Sequence, residues 1–89
     1  MKIRLELFGA SRDFSDKDFL EIEIQNKSSI HDLRNEIIDY LNKNFAGNKS
    51  FIKVVKSSAF CSENNEIISD NYKITKDQKI GIIPPIGGG

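Results

Sequence analysis

The sequence lacks several features that define large classes of protein. It contains a single cysteine, Cys61, so neither an internal disulfide nor a zinc site built from several cysteines can form. It has no apolar run of the length that a membrane span requires. Thirteen basic and thirteen acidic residues give a formal net charge of zero, without a basic stripe or an acidic tail. We therefore expect neither nucleic acid nor a membrane as a partner.

The beginning of the chain is also unlike a signal peptide, because residues 1–4 mix charged and apolar side chains. With one cysteine and no such segment, we expect the protein to be cytoplasmic. Its 89 residues, of which 38% are apolar and 29% charged, suffice for one globular domain.

Alternating apolar and charged residues predict two strands near the start, over residues 2–8 and 20–24. Each strand has one apolar face. The intervening residues 9–17 are too few for a long helix, so we expect them to form the loop of an antiparallel hairpin.

A helix is predicted next, because apolar residues recur at intervals of three and four. Ser29 can cap its first turn, Asp32 lies near the positive end of its dipole, and Gly47 suits its end. The apolar stripe that should cover the sheet is Ile30, Leu33, Ile37, Leu41 and Phe45.

Three further strands are expected, over residues 51–55, residues 67–68 and residues 79–83, the second of them short and at an edge. One mixed sheet of four to five strands with one main covering helix is an α+β fold. If the first and last strands pair in parallel at its centre, the arrangement is a β-grasp.

The last six residues, Pro-Pro-Ile-Gly-Gly-Gly, differ from the rest of the chain. We expect a domain over residues 1–83 and a flexible tail over residues 84–89. Prolines cannot continue a central strand and favour an extended exit from the sheet. Glycines at 87–89 remove the side chains that would obstruct a narrow enzyme channel. We therefore expect the terminal carboxylate to be the reactive group, once a partner has activated it.

Three segments resemble the small subunit of molybdopterin synthase, the MoaD type of sulfur carrier. Residues 74–89, ITKDQKIGIIPPIGGG, resemble that family's C-terminus, which ends in Pro-Pro and Gly-Gly. Residues 8–13, FGASRD, resemble its F-A-x-x-R-E motif, and residues 29–34, SIHDLR, resemble its T-V-x-x-L-R helix start. The resemblance covers nearly the whole chain in order.

The resemblance implies a ubiquitin-like β-grasp fold and a function in molybdenum cofactor biosynthesis. Gly89 would be adenylated and converted to a thiocarboxylate, while Gly87 and Gly88 thread the partner's channel. The chain would hold no cofactor, and ATP would be used by the activating partner. It would not be an enzyme on its own, because the catalytic residues belong to the large subunit of the synthase.

The partners implied by the resemblance are that large subunit, in a heterotetramer, and an adenylating, sulfurating E1-like enzyme. Phe8 and Ile83 are out of phase with the core positions of their strands, so they should share an exposed surface beside the tail. With Arg12 in the loop above, we expect this surface to bind the partners. The remaining expected contacts come from the tail residues Pro84, Pro85 and Ile86.

Two departures from the family pattern and two isolated residues also need an account. The family's D-G-D turn is replaced by residues 76–78, Lys-Asp-Gln, and Lys56 stands where the family often has Asn. His31 lacks the further ligands that zinc requires. Cys61 has no neighbouring group in sequence that would activate its thiol, so we interpret it as an ordinary free cysteine.

Three alternatives to a molybdenum-cofactor sulfur carrier stay open at the level of sequence. The chain could deliver sulfur to thiamin, as ThiS does, or to another metabolite. It could be a ubiquitin-like modifier joined to lysines of target proteins, because that chemistry uses the same adenylate. It could also be a passive binding module whose glycines have no role.

Overall fold

The structure, a computed structural model, describes residues 1–85 of the chain. Five strands form one mixed sheet in the order β2-β1-β7-β4-β5, and two short strands, β3 and β6, form a separate antiparallel pair. The strands of the main sheet are β1 (Lys2–Leu7), β2 (Phe19–Glu23), β4 (Ala59–Cys61), β5 (Ile67–Ile68) and β7 (Gln78–Ile83). The short pair is β3 (Ser28–Ser29) and β6 (Lys73–Ile74).

The centre of the sheet has the connectivity of a β-grasp, as the sequence predicts. Strand β1 pairs antiparallel with β2 and parallel with β7, with Leu5 opposite Ile80 and Leu7 opposite Ile82. The inward side chains of both strands are almost completely buried, in agreement with their apolar alternation. The C-terminal ends of the first and last strands therefore lie next to each other at one end of the sheet.

The connection between β1 and β2 differs from the predicted loop. Residues Gly9–Phe14 form a 3-10 helix that covers one end of the core with the buried ring of Phe14. This segment is too short for an amphipathic period to be visible in the sequence, and burial of Phe14 determines its position.

The main helix, α1 (Ile30–Asn44), begins where the sequence predicts. The hydroxyl of Ser29 accepts a hydrogen bond from the Asp32 amide at 3.1 Å, and the Asp32 carboxylate accepts one from the Ser29 amide at 2.9 Å. The hydrogen bond from the Ser29 backbone, followed by that from its side chain, lowers the pKa of Asp32. The predicted stripe covers the sheet: Ile30, Leu33, Ile37 and Leu41 are completely buried, and Phe45 is partly buried at the end of the helix.

The predicted third strand over residues 51–55 is wrong, because these residues belong to a second helix, α2 (Lys49–Ser57). The side chain of Asn48 caps it by accepting hydrogen bonds from the amides of Ser50 and Phe51. The Phe51 ring packs between two others, with centroids 5.2 Å from Phe14 and 5.1 Å from Phe45. Residue 56, where the sequence departs from the family pattern, is therefore helical.

The true third strand of the main sheet is the short β4, which joins β7 on one side and β5 on the other. The expected edge strand over residues 67–68 is confirmed as β5. Within residues 1–85, neither helix is long and apolar enough to cross a bilayer.

Arg34 of α1 contacts the end of α2, the Asp70 carboxylate and the Phe60 ring. Its Nη1 donates to the carbonyl oxygens of Val55 at 2.6 Å and Ser58 at 2.8 Å, where α2 ends. Its Nη2 donates to Asp70 at 2.7 Å, and the guanidinium lies 4.8 Å from the centre of the Phe60 ring. The Arg34 side chain is only 13% exposed and its bonds to the two carbonyl oxygens are partly buried, whereas Asp70 is 50% exposed. The Arg34 hydrogen bond also lowers the pKa of Asp70.

Candidate functional site

The candidate site lies at the edge where β1 and β7 end together. Because Leu7 is opposite Ile82, Phe8 follows the end of β1 next to Ile83, the last residue of β7, which pairs with Ala59 of β4. The Phe8 side chain is 51% exposed, and that of Ile83 is half-buried. The structure thus brings these two predicted partner-binding residues together, and their role in binding stays a prediction.

The closest packing at this edge involves Gly81, which the sequence analysis did not single out. A Cβ atom placed on Gly81 would lie 2.7 Å from the Cys61 sulfur and 3.0 Å from Cε2 of Phe8. The Phe8 ring therefore leans over the backbone of β7 beside the Cys61 thiol. A glycine within the apolar run of β7 was the available signal, because glycine in a strand marks close approach.

The position of Phe8 is fixed by the turn that follows it. Its amide donates to the Ser11 hydroxyl at 2.9 Å, and this hydroxyl donates to the Phe8 carbonyl oxygen at 2.6 Å. Ser11 is completely buried, so water does not compete for these bonds. Gly9 has a φ of +54°, a left-handed conformation that glycine adopts without strain. The aromatic side chain is thus exposed on an ordered backbone.

Cys61 contributes packing to this edge. It lies on β4 opposite Gly81, and its side chain is only 7% exposed. The sequence places it in a polar stretch, whereas the structure places it at the end of a strand, buried next to Gly81.

Charged side chains border the Phe8 ring on the outer face of the sheet. The Lys79 ammonium lies 3.7 Å from the Glu6 carboxylate, and the Lys79 amide donates to Glu63 at 2.8 Å. On the other side of Phe8, the exposed Arg12 in the 3-10 helix lines a shallow depression with Asp18. An apolar ring surrounded by charges of both signs is typical of an interface centre with a polar rim.

The first residue of the tail, Pro84, packs against the domain. Pro84 is buried, and a Cβ atom on Gly9 would lie 3.8 Å from its ring. Pro85 is exposed. Pro84 therefore anchors the tail to the domain. The sequence analysis had instead predicted Pro84 to contact a partner. The other predicted tail residues, Ile86, Gly87, Gly88 and Gly89, lie outside the described residues.

His31 is at the start of α1, well exposed, with its Nδ1 atom 3.8 Å from the Asp70 carboxylate. Within residues 1–85, no three His, Cys, Asp or Glu side chains come together as a metal-binding group.

No family model and no curated protein sequence matches this chain. Solved structures are similar to it. A Pyrococcus furiosus protein described as molybdopterin converting factor, subunit 1, is similar with a TM-score of 0.69 and 20% identity, over 96% of this chain and 98% of that protein. SAMP1 from Haloferax volcanii is similar with a TM-score of 0.68 and 12% identity over 100% of both chains. A ubiquitin from Caldiarchaeum subterraneum is similar with a TM-score of 0.62 and 14% identity, over 100% of this chain and 98% of that one.

The sheet order and these structures together define the class of protein: the chain has the ubiquitin-like β-grasp fold. The resemblance to the MoaD type that the sequence predicts is confirmed in the fold, since a molybdopterin converting factor subunit is among the similar structures. The chemistry that such a fold carries depends on the site and not on the fold itself.

Proposed function

We propose that this chain is a sulfur carrier for molybdenum cofactor biosynthesis and acts as the small subunit of a molybdopterin synthase. The observation that supports this most is the route from the sheet to the tail. Strand β7 lies between β1 and β4 at the centre of the sheet and leads through the buried Pro84 to three glycines. A tail that starts from a central strand and ends in residues without side chains suits a reactive carboxylate that must enter another protein.

The proposed chemistry takes place at the carboxylate of Gly89. One carboxylate oxygen attacks the α-phosphorus of ATP, pyrophosphate leaves, and an acyl-adenylate forms. A sulfur nucleophile at the oxidation level of sulfide then attacks the carbonyl carbon, and AMP leaves with the original oxygen. The resulting thiocarboxylate donates its sulfur to the dithiolene of molybdopterin. ATP and the catalytic residues for these steps would be held by the partners, so the chain is not an enzyme alone.

The anchoring of Pro84 limits how far the reactive group can travel. Five residues follow Pro84 in this sequence, and a fully extended chain of five residues spans at most about 18 Å. A partner must therefore contact the domain while it activates or sulfurates the Gly89 carboxylate. In this proposal Phe8 and Ile83, which lie near the start of the tail, make that contact. The proposed partners are the large synthase subunit and an E1-like activating enzyme, in the cytoplasm.

A second candidate function is that of a ubiquitin-like protein modifier. It is supported by the similarity to the Caldiarchaeum ubiquitin over the whole of this chain. The acyl-adenylate would be the same, but the carbonyl would pass to an amine of a target protein, with loss of AMP. Sulfur delivery to thiamin or another metabolite would use the same thiocarboxylate with a different acceptor.

The intact mass of the protein isolated from its native cells tests the proposal. We expect a fraction whose mass corresponds to a chain ending at Gly89 with one oxygen replaced by sulfur. Conjugates to other proteins that survive reducing and denaturing conditions would favour the modifier. A chain found only unmodified, while its cells synthesise molybdenum cofactor, would contradict both carrier and modifier. Incubation of the sulfurated protein with large subunit and molybdopterin precursor then tests the acceptor.

A further inference from the structure

Helix α2 has an unusual charge pattern for a protein with no net charge. It contains three exposed lysines, Lys49, Lys53 and Lys56, and no acidic residue. Their spacing of four and three residues places them along one side of the helix. In the described part of the chain, the ion pairs join other residues and leave these three lysines without a carboxylate partner.

This arrangement contributes little net stability to the helix. Like charges at spacings of three or four residues repel each other, and Lys49 lies at the first turn, where the helix dipole is positive; only Lys56, in the last turn, has a favourable position. The burial that holds α2 comes from its other side, through Phe51 and the completely buried Val55. The lysine row is therefore separable from the fold.

A groove runs between this helix and the beginning of the tail. Its volume is about 170 Å³, which gives room for an apolar side chain. Val54 and Pro84 contribute apolar surface, and Lys53 contributes a cation. The remaining lining residues are Ala10, Ser50, Ser57 and Pro85.

We propose that this groove binds an acidic peptide segment of a partner protein, with an apolar side chain in the groove and carboxylates along Lys49, Lys53 and Lys56. The three lysines span about 10 Å along the helix axis, which corresponds to three or four residues of extended peptide. The groove lining contains no aromatic ring on which a nucleic acid base could stack, which favours a peptide over RNA. The inference does not depend on the chemistry of Gly89.

The surface between β2 and α1 has the opposite charge from the lysine row of α2. It is lined by four carboxylates, Glu21, Glu23, Glu36 and Asp39, and by one cation, Lys43. An acidic segment is repelled by this surface and attracted at α2, which disfavours binding between β2 and α1.

Titration of the full-length, isotope-labelled protein followed by NMR tests this proposal. The probe is a blocked twelve-residue peptide in which Glu and Asp flank a single Leu, and its control has Gln and Asn in their place. We expect the acidic peptide to shift the amide signals of Ser50, Lys53 and Ser57. Added salt should weaken its binding, and the neutral peptide should have no effect at the same concentration. Lys53→Glu should lower the affinity by about tenfold.

Lys76→Glu is the matched control, because it makes the same charge change near the start of β7, at the opposite end of that strand from Pro84. It should leave the affinity unchanged. The triple variant with glutamine at 49, 53 and 56 should lose binding while its melting temperature stays the same or rises. Equal binding of the neutral peptide, signals that move only outside α2, or tighter binding of a uridine RNA of equal charge would each overturn the proposal.

Discussion

The ring of Phe8 occupies space that any side chain at Gly81 would need. A Cβ atom on Gly81 would lie 3.0 Å from the ring and 2.7 Å from the Cys61 sulfur, closer than such atoms pack. Gly81 lies on β7 between β1 and β4, so its backbone cannot shift without disturbing both neighbours. The half-exposed Phe8 ring can therefore lie over β7 only because residue 81 has no side chain.

Gly81→Ala should destabilise the protein by about 1–3 kcal/mol, the usual effect of overpacking a tight site. The free energy of unfolding in urea measures this. The closer of the two contacts is to Cys61, so Cys61→Ala in the same chain should recover part of the loss, with Cys61→Ala alone as the reference. A Gly81→Ala protein as stable as the wild type would show that the contacts are looser than described.

Phe8→Ala should weaken binding to the partner that receives the tail by about tenfold or more, as removal of an aromatic anchor does at interface centres. The fold should remain, because Phe8 is 51% exposed. Affinity for the large subunit and the activating enzyme from the same cells, measured by calorimetry, provides the comparison. Ile67→Ala is a suitable control, because Ile67 is 66% exposed on the edge strand β5. Equal effects of both variants would argue against a specific role for Phe8.

Arg34→Lys should lower the free energy of unfolding by about 2–3 kcal/mol, although the charge is kept. A lysine cannot reach the carbonyl oxygens at the end of α2 and the Asp70 carboxylate at once, as the guanidinium does. Chemical denaturation gives the magnitude, with Arg4→Lys as the control because Arg4 is exposed and contacts the Phe19 ring. An effect of Arg34→Lys no larger than that of Arg4→Lys would contradict this account of the two helices.

Acid should destabilise the protein in part through Asp32 and Asp70. The folded state lowers both pKa values below 3.8, Asp32 through hydrogen bonds from Ser29 and Asp70 through Arg34. A lowered pKa stabilises the fold when the pH is above the ordinary value, and this contribution is lost as the pH falls through the lower, folded-state value. Urea unfolding from neutral pH down to pH values below 3.8 should show this decline. Asp70→Asn should make it shallower, and an unchanged slope would exclude Asp70 as a contributor.

Much of the fold could be predicted because several elements have one buried face and a clear period. Strands β1 and β2 alternate along their length, β7 is a short apolar run, and α1 has both a cap at Ser29 and an apolar stripe. The parallel pairing of β1 with β7 then follows from the topology, and it brings the ends of the two strands, where Phe8 and Ile83 lie, next to each other.

The error over residues 51–55 has a physical cause. Phe, Ile and Val favour strands by propensity, and five residues are too few to separate a period of two from one of 3.6. The capping side chain of Asn48 and the aromatic contacts of Phe51 stabilise a helix here instead of a strand. Gly81 signals a close approach to β7, but the identity of the approaching side chains, Phe8 and Cys61, follows only from the registers of β1 and β4 against β7.

Tandem mass spectrometry of the C-terminal peptide, from protein purified from its native cells, tests the central claim most directly. We predict sulfur in place of one oxygen on the terminal carboxylate of Gly89, retained in a Cys61→Ala chain. A chain without Gly89 should carry no sulfur there and melt within about 2 °C of the wild type, since ordering of tail residues outside the domain contributes little to its stability. Sulfur found only as a persulfide on Cys61, or a mature chain that continues past residue 89, would contradict the claim.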